Sequence, residues 1–409
     1  MEVSVLQESS TSVLKNNDFR LLFLAQVTSE FGDWIARLAL MVLVLQRSGS
    51  GPMSGLVMVV AMAPLVLLSA PLSPLADRFP RRTVMMIADL MRAILYLLIM
   101  SVQLSVPVML VLVFIANSCA PPFTAARSAV LTEVFTDLSR YRQAQSRMQS
   151  TSQIMNMVGV AVGGVLVAIL GPIYALVLNI LSFVLSALFI AGMKTGRVAI
   201  STMKSRQAMG VAWCAVMHNP LVRRAALLPI FATIGAYAAE ALIVAYTERY
   251  VGRGWLSLIA ASVPATTLLG FWVIERLGLP IVRGVHVSPL ITLAGNVIAL
   301  IGLMAPLPAI VSALMAYIGA GIIFSQFILS VVAVVQRVPD TVRGSVNGLL
   351  QTGLTTGILL SAGAGSWLAA IFDERRSLAL LMGCSAAYSL YAIVRQPEKG
   401  EDAVIGSAD

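Results

Sequence analysis

Charged residues are scarce in this sequence: Asp, Glu, Lys and Arg make up 11% of the 409 residues, whereas 58% are hydrophobic. A soluble globular domain carries about 25% charged residues. The mean hydropathy is +0.88. This shortage of charge excludes an ordinary soluble protein and predicts that lipid surrounds most of the chain.

The sequence also lacks the residue patterns of metal, redox and nucleotide chemistry. Its three cysteines, Cys119, Cys214 and Cys384, have no CxxC or metal-ligand spacing, so we predict packing roles without a disulfide. The phosphate-binding pattern Gly-x-x-x-x-Gly-Lys-Ser/Thr is absent, which excludes ATP as the direct energy source within this chain. The two histidines, His218 and His286, lie near predicted span ends. We therefore predict no cofactor, no metal and no enzymatic activity.

The formal charge of +9 does not indicate nucleic acid, because the basic residues lie singly or in small groups without an aromatic-interleaved basic face. A membrane-spanning helix needs about 20 mainly apolar residues, and the chain divides into twelve such segments. The predicted spans are Phe19–Leu45, Gly55–Leu72, Thr83–Val102, Val106–Ala126, Gln149–Leu170, Ile173–Met193, Arg224–Tyr246, Trp255–Ile274, Ser288–Leu303, Pro308–Val334, Gly348–Ile371 and Ser377–Val394.

The placement of positive charge orients these spans. With the N-terminus inside, about 21 of the 28 Lys and Arg residues fall in cytoplasmic segments, as the positive-inside rule requires. We therefore predict that both termini are cytoplasmic in a multi-pass protein of the cell membrane. The longest polar interruption after the N-terminus, Lys194–Asn219, divides the spans into six and six. The predicted domains are an N-terminal bundle, 1–193, a cytoplasmic loop, 194–219, and a C-terminal bundle, 220–409.

A polar segment after the fourth span, Leu131–Met148, has apolar residues at helical spacing. This pattern predicts a helix that lies along the inner membrane surface. A solvated loop is the alternative.

A dense cluster of charge follows the second span, in the loop Ser73–Arg82. It resembles the loop Gly-x-x-x-Asp-Arg-x-Gly-Arg-Arg of the major facilitator superfamily, with Ser73 and Pro80 in place of the glycines. The resemblance implies an all-α membrane protein of twelve helices in two six-helix bundles, which works by rocking alternating access. It also implies a conformational latch. The predicted latch residues are Asp77, Arg78, Arg81 and Arg82, with Asp89 and Arg92 pairing with the loop. The alternative is that Arg81 and Arg82 only fix topology.

Other segments resemble the efflux branch that includes macrolide and siderophore exporters. They are Asn17–Arg20, Phe31–Asp33 and Val338–Asp340 with Arg343–Gly348. In the fifth span Gly159, Gly163 and Gly164 are similar to the Gly-Pro-x-x-Gly-Gly of proton-driven antiporters, although valine replaces the proline, and we predict close helix packing there. The fourth span lacks the mid-membrane arginine of some drug–proton antiporters. The resemblance implies export of an amphipathic small molecule by proton antiport. The alternative is an importer or facilitator of a small metabolite.

Charged groups within the spans are the candidates for coupling, because such groups are costly in a bilayer and usually serve transport. Glu30, Asp33 and Arg37 in the first span share one helical face, and Glu240 lies in the seventh. A fixed Asp33–Arg37 pair is one alternative; for Glu240 it is a position at the outer rim, paired with Arg249 or water. The expected partners are a small-molecule substrate, protons and lipid, and the protein is expected to be a monomer.

Overall fold

The computed structural model describes residues 13–101, 104–195, 220–277, 281–326, 329 and 343–395. These residues form α-helices, short connections and one 3-10 turn, with no β-strand in these ranges. The helices of the first half are α1 Asn17–Ser48, α2 Gly51–Leu67, α3 Ser69–Leu72, α4 Leu75–Arg78, α5 Arg81–Ser101, α6 Val106–Asn117, α7 Ala120–Val134, α8 Leu138–Leu170 and α9 Pro172–Ala191. Those of the second half are α10 Pro220–Ala232, α11 Ile234–Tyr250, α12 Leu256–Arg276, α13 Ile281–Met304, α14 Ala309–Ser325, α15 Arg343–Ile371 and α16 Glu374–Val394.

Nine helical stretches among the described residues are long and apolar enough to cross a membrane. They are Arg81–Met100, Val106–Val134, Gln143–Leu170, Pro172–Ala191, Leu227–Tyr250, Leu256–Ile274, Val287–Met304, Thr352–Ile371 and Glu374–Val394. Two further apolar helices, α2 and α14, have 17 residues each. The 32-residue α1 is long enough but carries three charges in its centre. This arrangement is consistent with the twelve predicted spans.

The chain packs into two compact units. Of the described residues, the first unit holds those in Met1–Met203, Ala241–Pro264 and Ala362–Glu374, and the second holds the remainder. The division into domains 1–193, 194–219 and 220–409 stays a prediction. Most of the predicted central loop lies outside the described residues, as do Cys214, His218 and the Val338–Asp340 segment.

The first helix, α1, is the central element of the first unit. Asn16 caps its N-terminus, since Oδ1 accepts from the backbone N–H groups of Asp18 (3.0 Å) and Phe19 (3.1 Å). Gly49 ends the helix with φ +63°, a conformation that favours glycine.

Two of the three fifth-span glycines on α8 lie against α1. A Cβ at Gly159 would stand 2.6 Å from the Cβ of Trp34, and one at Gly163 would stand 3.1 Å from the Cα of Ile35. A Cβ at Gly164 would meet that of Ala260 at 3.1 Å. The absence of side chains at these three glycines therefore lets α8 pack closely against α1 and against Ala260 on α12.

The predicted surface helix at Leu131–Met148 is wrong, and so is the alternative of a solvated loop. The segment is the end of α7 and the beginning of α8, joined by three residues. Leu131, Phe135 and Met148 are buried in a hydrophobic cluster with Phe19, whose ring meets that of Phe135 edge-on at 5.4 Å. The apolar positions contact the bundle instead of lipid because both helices continue past the span ends predicted from hydropathy.

In the second unit, polar side chains join helices across a mostly apolar interior. Asn296 on α13 donates from Nδ2 to Oγ of Ser385 on α16 (2.9 Å), and the Ser385 hydroxyl donates to the carbonyl oxygen of Ala232 on α10. The Thr267 hydroxyl on α12 donates to the carbonyl oxygen of Gly321 on α14 (3.0 Å). Such bonds satisfy polar groups that would otherwise be costly inside a membrane.

Candidate functional site

Glu30 is the centre of a polar cluster that three helices build in the first unit. It lies 13 residues along α1, about 20 Å from the start of the helix. Its Oε1 accepts hydrogen bonds from Ser152 Oγ on α8 (2.8 Å) and Gln26 Nε2 on α1 (3.0 Å), and it pairs with Arg127 on α7 (3.4 Å). A single carboxylate oxygen thus gathers a hydroxyl, an amide and a guanidinium.

The two charged side chains of the cluster are partly exposed. The side chain of Glu30 is 26% exposed and that of Arg127 is 20% exposed. The Gln26 amide is held in place, because its Nε2 also lies within hydrogen-bonding distance of the carbonyl oxygen of Met148 (3.2 Å) and of Ser152 Oγ (2.7 Å), and its two hydrogens are shared among these acceptors and Glu30. Among the described residues, Oε2 of Glu30 and Oε1 of Gln26 are buried acceptors without a hydrogen-bond partner. The cluster therefore retains capacity to accept hydrogen bonds.

The helix of the fourth span continues past Ala126, where the sequence analysis ended the span. The apolar helical stretch runs from Val106 to Val134, and Arg127 lies seven residues before its end. Hydropathy ended the span at Ala126 because the next residue is charged. Within the helix, Arg127 faces Glu30, which offers its charge a partner.

Asp33 has a different cationic partner from Glu30. Its Oδ2 lies 3.4 Å from a nitrogen of Arg92 on α5, and its side chain is 24% exposed. The alternative of a fixed Asp33–Arg37 pair named a residue on the same helix; the structure brings a guanidinium from another helix, and Arg37 lies over the Trp34 ring at 3.9 Å. The three predicted groups of α1 therefore share a face but contact different neighbours.

Asp89 and Arg92 contact the interior of the bundle. Asp89 is fully buried and its Oδ2 accepts from Ser186 Oγ on α9 (2.6 Å). Arg92 pairs with Asp33 and lies 5.4 Å from the ring centre of Phe183, also on α9. The predicted pairing of these two residues with the inner loop is not what the structure shows. They lie two to three turns along α5 from Arg81, too far along the helix for direct contact with the loop.

The inner loop binds the ends of two neighbouring helices. Arg81 pairs with Glu133 and donates to the carbonyl oxygen of Ala129 (3.1 Å), both on α7. Arg82 donates to the carbonyl oxygens of Met193 (2.9 Å) and Ala191, at the end of α9, where a cation also complements the helix dipole. Arg78 is exposed, and the side chain of Asp77 lies outside the described part. The latch role of the loop stays a prediction.

Glu240 is half-buried on α11 of the second unit. It lies three residues after Tyr237 on the same helix, and the Tyr237 ring packs edge-on against Phe324 at 4.8 Å. Arg249 forms an ion pair with Glu374 at 2.7 Å. The second unit therefore places its predicted acid beside an aromatic pair.

Gln26 and Ser152 were not identified from the sequence. Gln26 lies four residues before Glu30, on the helical face that already carried the predicted charges, so its spacing was a usable signal. Ser152 lies on α8, 122 residues from Glu30 in sequence. No local pattern connects it to α1.

Comparison with known proteins identifies the family. Residues 22–362 match the family model of the Major Facilitator Superfamily. The chain belongs to this superfamily. It is therefore a multi-pass membrane transporter with an all-α major facilitator fold, as the sequence predicted.

Curated relatives of this superfamily member are distant. The chain is 26% identical over 310 residues to the "Multidrug efflux pump Tap" of Mycobacterium tuberculosis (strain ATCC 25618 / H37Rv), covering 71% of this chain and 73% of that protein. It is 25% identical over 181 residues to the "Uncharacterized MFS-type transporter YkuC" of Bacillus subtilis (strain 168), covering 44% and 42%.

Solved major facilitator structures share the fold at low identity. A bacterial homolog of the human lysosomal transporter Spinster, inward-facing and unoccupied, has a TM-score of 0.70 at 13% identity and covers 94% of this chain and 97% of its own. The nucleoside transporter NupG has a TM-score of 0.69 at 16% identity and covers 93% and 100%. At these identities the likeness shows the fold alone.

Proposed function

We propose that this transporter exports an amphipathic small molecule from the cytoplasm in exchange for protons, with both termini cytoplasmic. The observation that carries this proposal is the Glu30 cluster: an acid far inside a membrane helix, paired with an arginine from a second helix and a hydroxyl from a third. Ionisable groups at such depth are functional by default, because they are costly to keep in a bilayer.

The cluster suits proton exchange because its main ion pair depends on the charge of Glu30. An ionised Glu30 holds Arg127 at 3.4 Å, joining α1 to α7. A proton on Glu30 removes the negative charge, so the electrostatic attraction between the two helices falls. Alternating access then allows protonation on one side of the membrane and release on the other. A cationic group of a substrate would compete with the proton for the same carboxylate.

The similarity to a multidrug efflux pump supports export of an amphipathic molecule. We further propose that Asp33, Arg37 and Glu240 contribute to proton coupling or substrate binding, and that the inner loop is a latch. In this proposal the protein works as a monomer, without enzymatic activity, a cofactor or a nucleic-acid partner. The sequence halves 1–193 and 220–409 are its moving bundles.

The decisive experiment is efflux of fluorescent amphipathic cations in everted membrane vesicles. We expect uptake by wild-type vesicles to require a proton gradient and to stop when an uncoupler is added. Glu30→Gln keeps the size and hydrogen-bonding capacity of the side chain but cannot exchange a proton, so we expect gradient-driven uptake to fall to the level of vesicles without the protein. Exchange of labelled substrate without a gradient should persist.

A matched control is Asp137→Asn, also an acid-to-amide change. Asp137 is exposed just before α8, and its Oδ2 accepts from the backbone N–H of Arg140; asparagine caps a helix equally well. This variant should transport like the wild type. Gradient-driven uptake that survives in Glu30→Gln would contradict the role of Glu30. Uncoupler-resistant movement of a metabolite in the opposite direction would favour the importer or facilitator.

A further inference from the structure

Asp89 is an unusual carboxyl group in the first unit. It is fully buried, and its Oδ2 accepts a short hydrogen bond of 2.6 Å from the Ser186 hydroxyl. Within the part of the chain that the structure describes, its other oxygen, Oδ1, has no hydrogen-bond partner, and no Lys or Arg forms an ion pair with it. A buried carboxylate in that position would carry a negative charge without an ion-pair partner of its own, which is unfavourable in a protein interior.

Arg92 lies between this carboxyl group and Asp33. It is three residues from Asp89 on the same helix, α5, so the two side chains leave the helix on the same face. It forms its ion pair with Asp33 on α1, and its charge also attracts Asp89. One guanidinium therefore has two carboxyl groups within its reach but is paired with one of them.

The face of α5 that carries Asp89 and Arg92 contacts α9 at several points. Arg82 bonds the end of α9, Asp89 bonds Ser186, and Arg92 lies over Phe183. The Arg92–Asp33 ion pair joins α5 to α1. A change in the partner of Arg92 would remove this ion pair between the two helices while Arg82 still anchors the inner loop.

We propose that Asp33 and Asp89 share one proton, with Arg92 bound to whichever of the two is ionised. In the arrangement seen, Asp33 is the carboxylate and Asp89 carries the proton. When a proton binds Asp33, Asp89 releases its own and Arg92 turns to Asp89, so the proton count and the charge of the group are unchanged. Its use in transport rests on the proposed proton antiport.

Several other groups surround the two aspartates and belong to the same electrostatic environment. The titratable and charged groups that interact with them are Arg92, Arg37, Glu30, Tyr96 and Cys119. Of these, Arg92 is the one that forms an ion pair with Asp33 and is on the helix of Asp89. The proposal therefore concerns Arg92 and requires no change at the others.

Infrared spectroscopy of the purified protein at neutral pH tests the shared proton without a transport substrate. Aspartate labelled with 13C in its side-chain carboxyl group separates the aspartates from Glu30. We expect a band of a neutral carboxyl group that Asp89→Asn removes. Asp33→Asn should also remove it, because Arg92 then binds Asp89 and ionises it. Asp137→Asn should leave the band in place.

Two results would overturn the proposal. One is a wild-type spectrum whose neutral-carboxyl band persists in Asp89→Asn. The other is a band that disappears in Asp89→Asn but persists in Asp33→Asn, which would mean a proton fixed on Asp89. If Asp89→Asn does not fold, Ser186→Ala replaces it: loss of the 2.6 Å bond should shift the band, and an unshifted band would also overturn the proposal. Failure of the efflux assay with an intact band would contradict only the proposed export.

Discussion

Replacing Arg127 with leucine is expected to abolish gradient-driven transport and to destabilise the folded protein. The change leaves Glu30 with its hydrogen bonds from Ser152 and Gln26 but without the cation that faces it. Breaking a fully buried pair costs about 3–5 kcal/mol. Because the two side chains are 26% and 20% exposed, we expect a smaller loss, about 2 kcal/mol. Thermal unfolding in detergent, followed by tryptophan fluorescence, measures it.

A double variant separates the structural effect from the functional one. Adding Glu30→Gln to Arg127→Leu removes the stranded charge, so most of the lost stability should return. Transport should not return, since no proton-exchanging acid remains in the cluster. If the double variant is as unstable as Arg127→Leu alone, the ion pair does not account for the stability loss. If Arg127→Leu transports normally, the proposed role of the cluster is wrong.

Gly319→Ala is expected to destabilise the packing of α13 against α14 in the second unit. A Cβ at this position would overlap the backbone carbonyl oxygen of Gly295 and lie 2.8 Å from the Cβ and 3.0 Å from the backbone nitrogen of Ala299. Backbone atoms cannot rotate away, so α13 and α14 must separate. Overpacking costs about 1–3 kcal/mol, which exceeds the gain of up to about 1 kcal/mol from replacing a helical glycine.

The matched control is Gly383→Ala on α16. It is also a glycine inside a helix, but a Cβ there would meet nothing within 4 Å. It should therefore keep or slightly raise the unfolding temperature, because only the helix-propensity gain remains. The measurement is the fraction of protein that stays monodisperse in size-exclusion chromatography after heating. Equal stability of the two variants would show that the close contact of α13 with α14 does not limit stability.

The sequence predicted that the membrane helices are present, but it predicted the positions of their ends less well. Runs of about 20 apolar residues leave no alternative to a membrane helix, because the backbone must satisfy its own hydrogen bonds in lipid. The helix of the fourth span continues to Val134, whereas hydropathy ended the span at Ala126, since Arg127 has the hydropathy of a loop residue. Its partner, Glu30, is 97 residues away. Hydropathy also gives no sign of packing partners that are distant in sequence, and for this reason Leu131–Met148 was mistaken for a surface helix.

The candidate site was predictable only on one helix. The spacing of Glu30, Asp33 and Arg37 placed three charges on one face of α1, and that face is where the structure finds Gln26, Arg127 and Arg92 around them. Periodicity describes a single helix. It cannot say which residue of another helix faces each charge, so the sequence offered Arg37 as an alternative partner of Asp33 and gave no sign of Arg92 on α5.

The sequence by itself determined that this protein is an all-α membrane protein, because hydropathy and charge placement depend on composition and order along the chain. It also determined the acid-rich face of the first helix. That the protein is a transporter followed from the resemblance of the Ser73–Arg82 loop to a known superfamily. Tertiary structure alone decided the partners of the acids: Glu30 pairs with Arg127, Asp33 pairs with Arg92, and Asp89 accepts a hydrogen bond from Ser186. The physical reason is that an ion pair inside a membrane joins helices that are distant in sequence, and only their packing brings the two groups within a few ångströms.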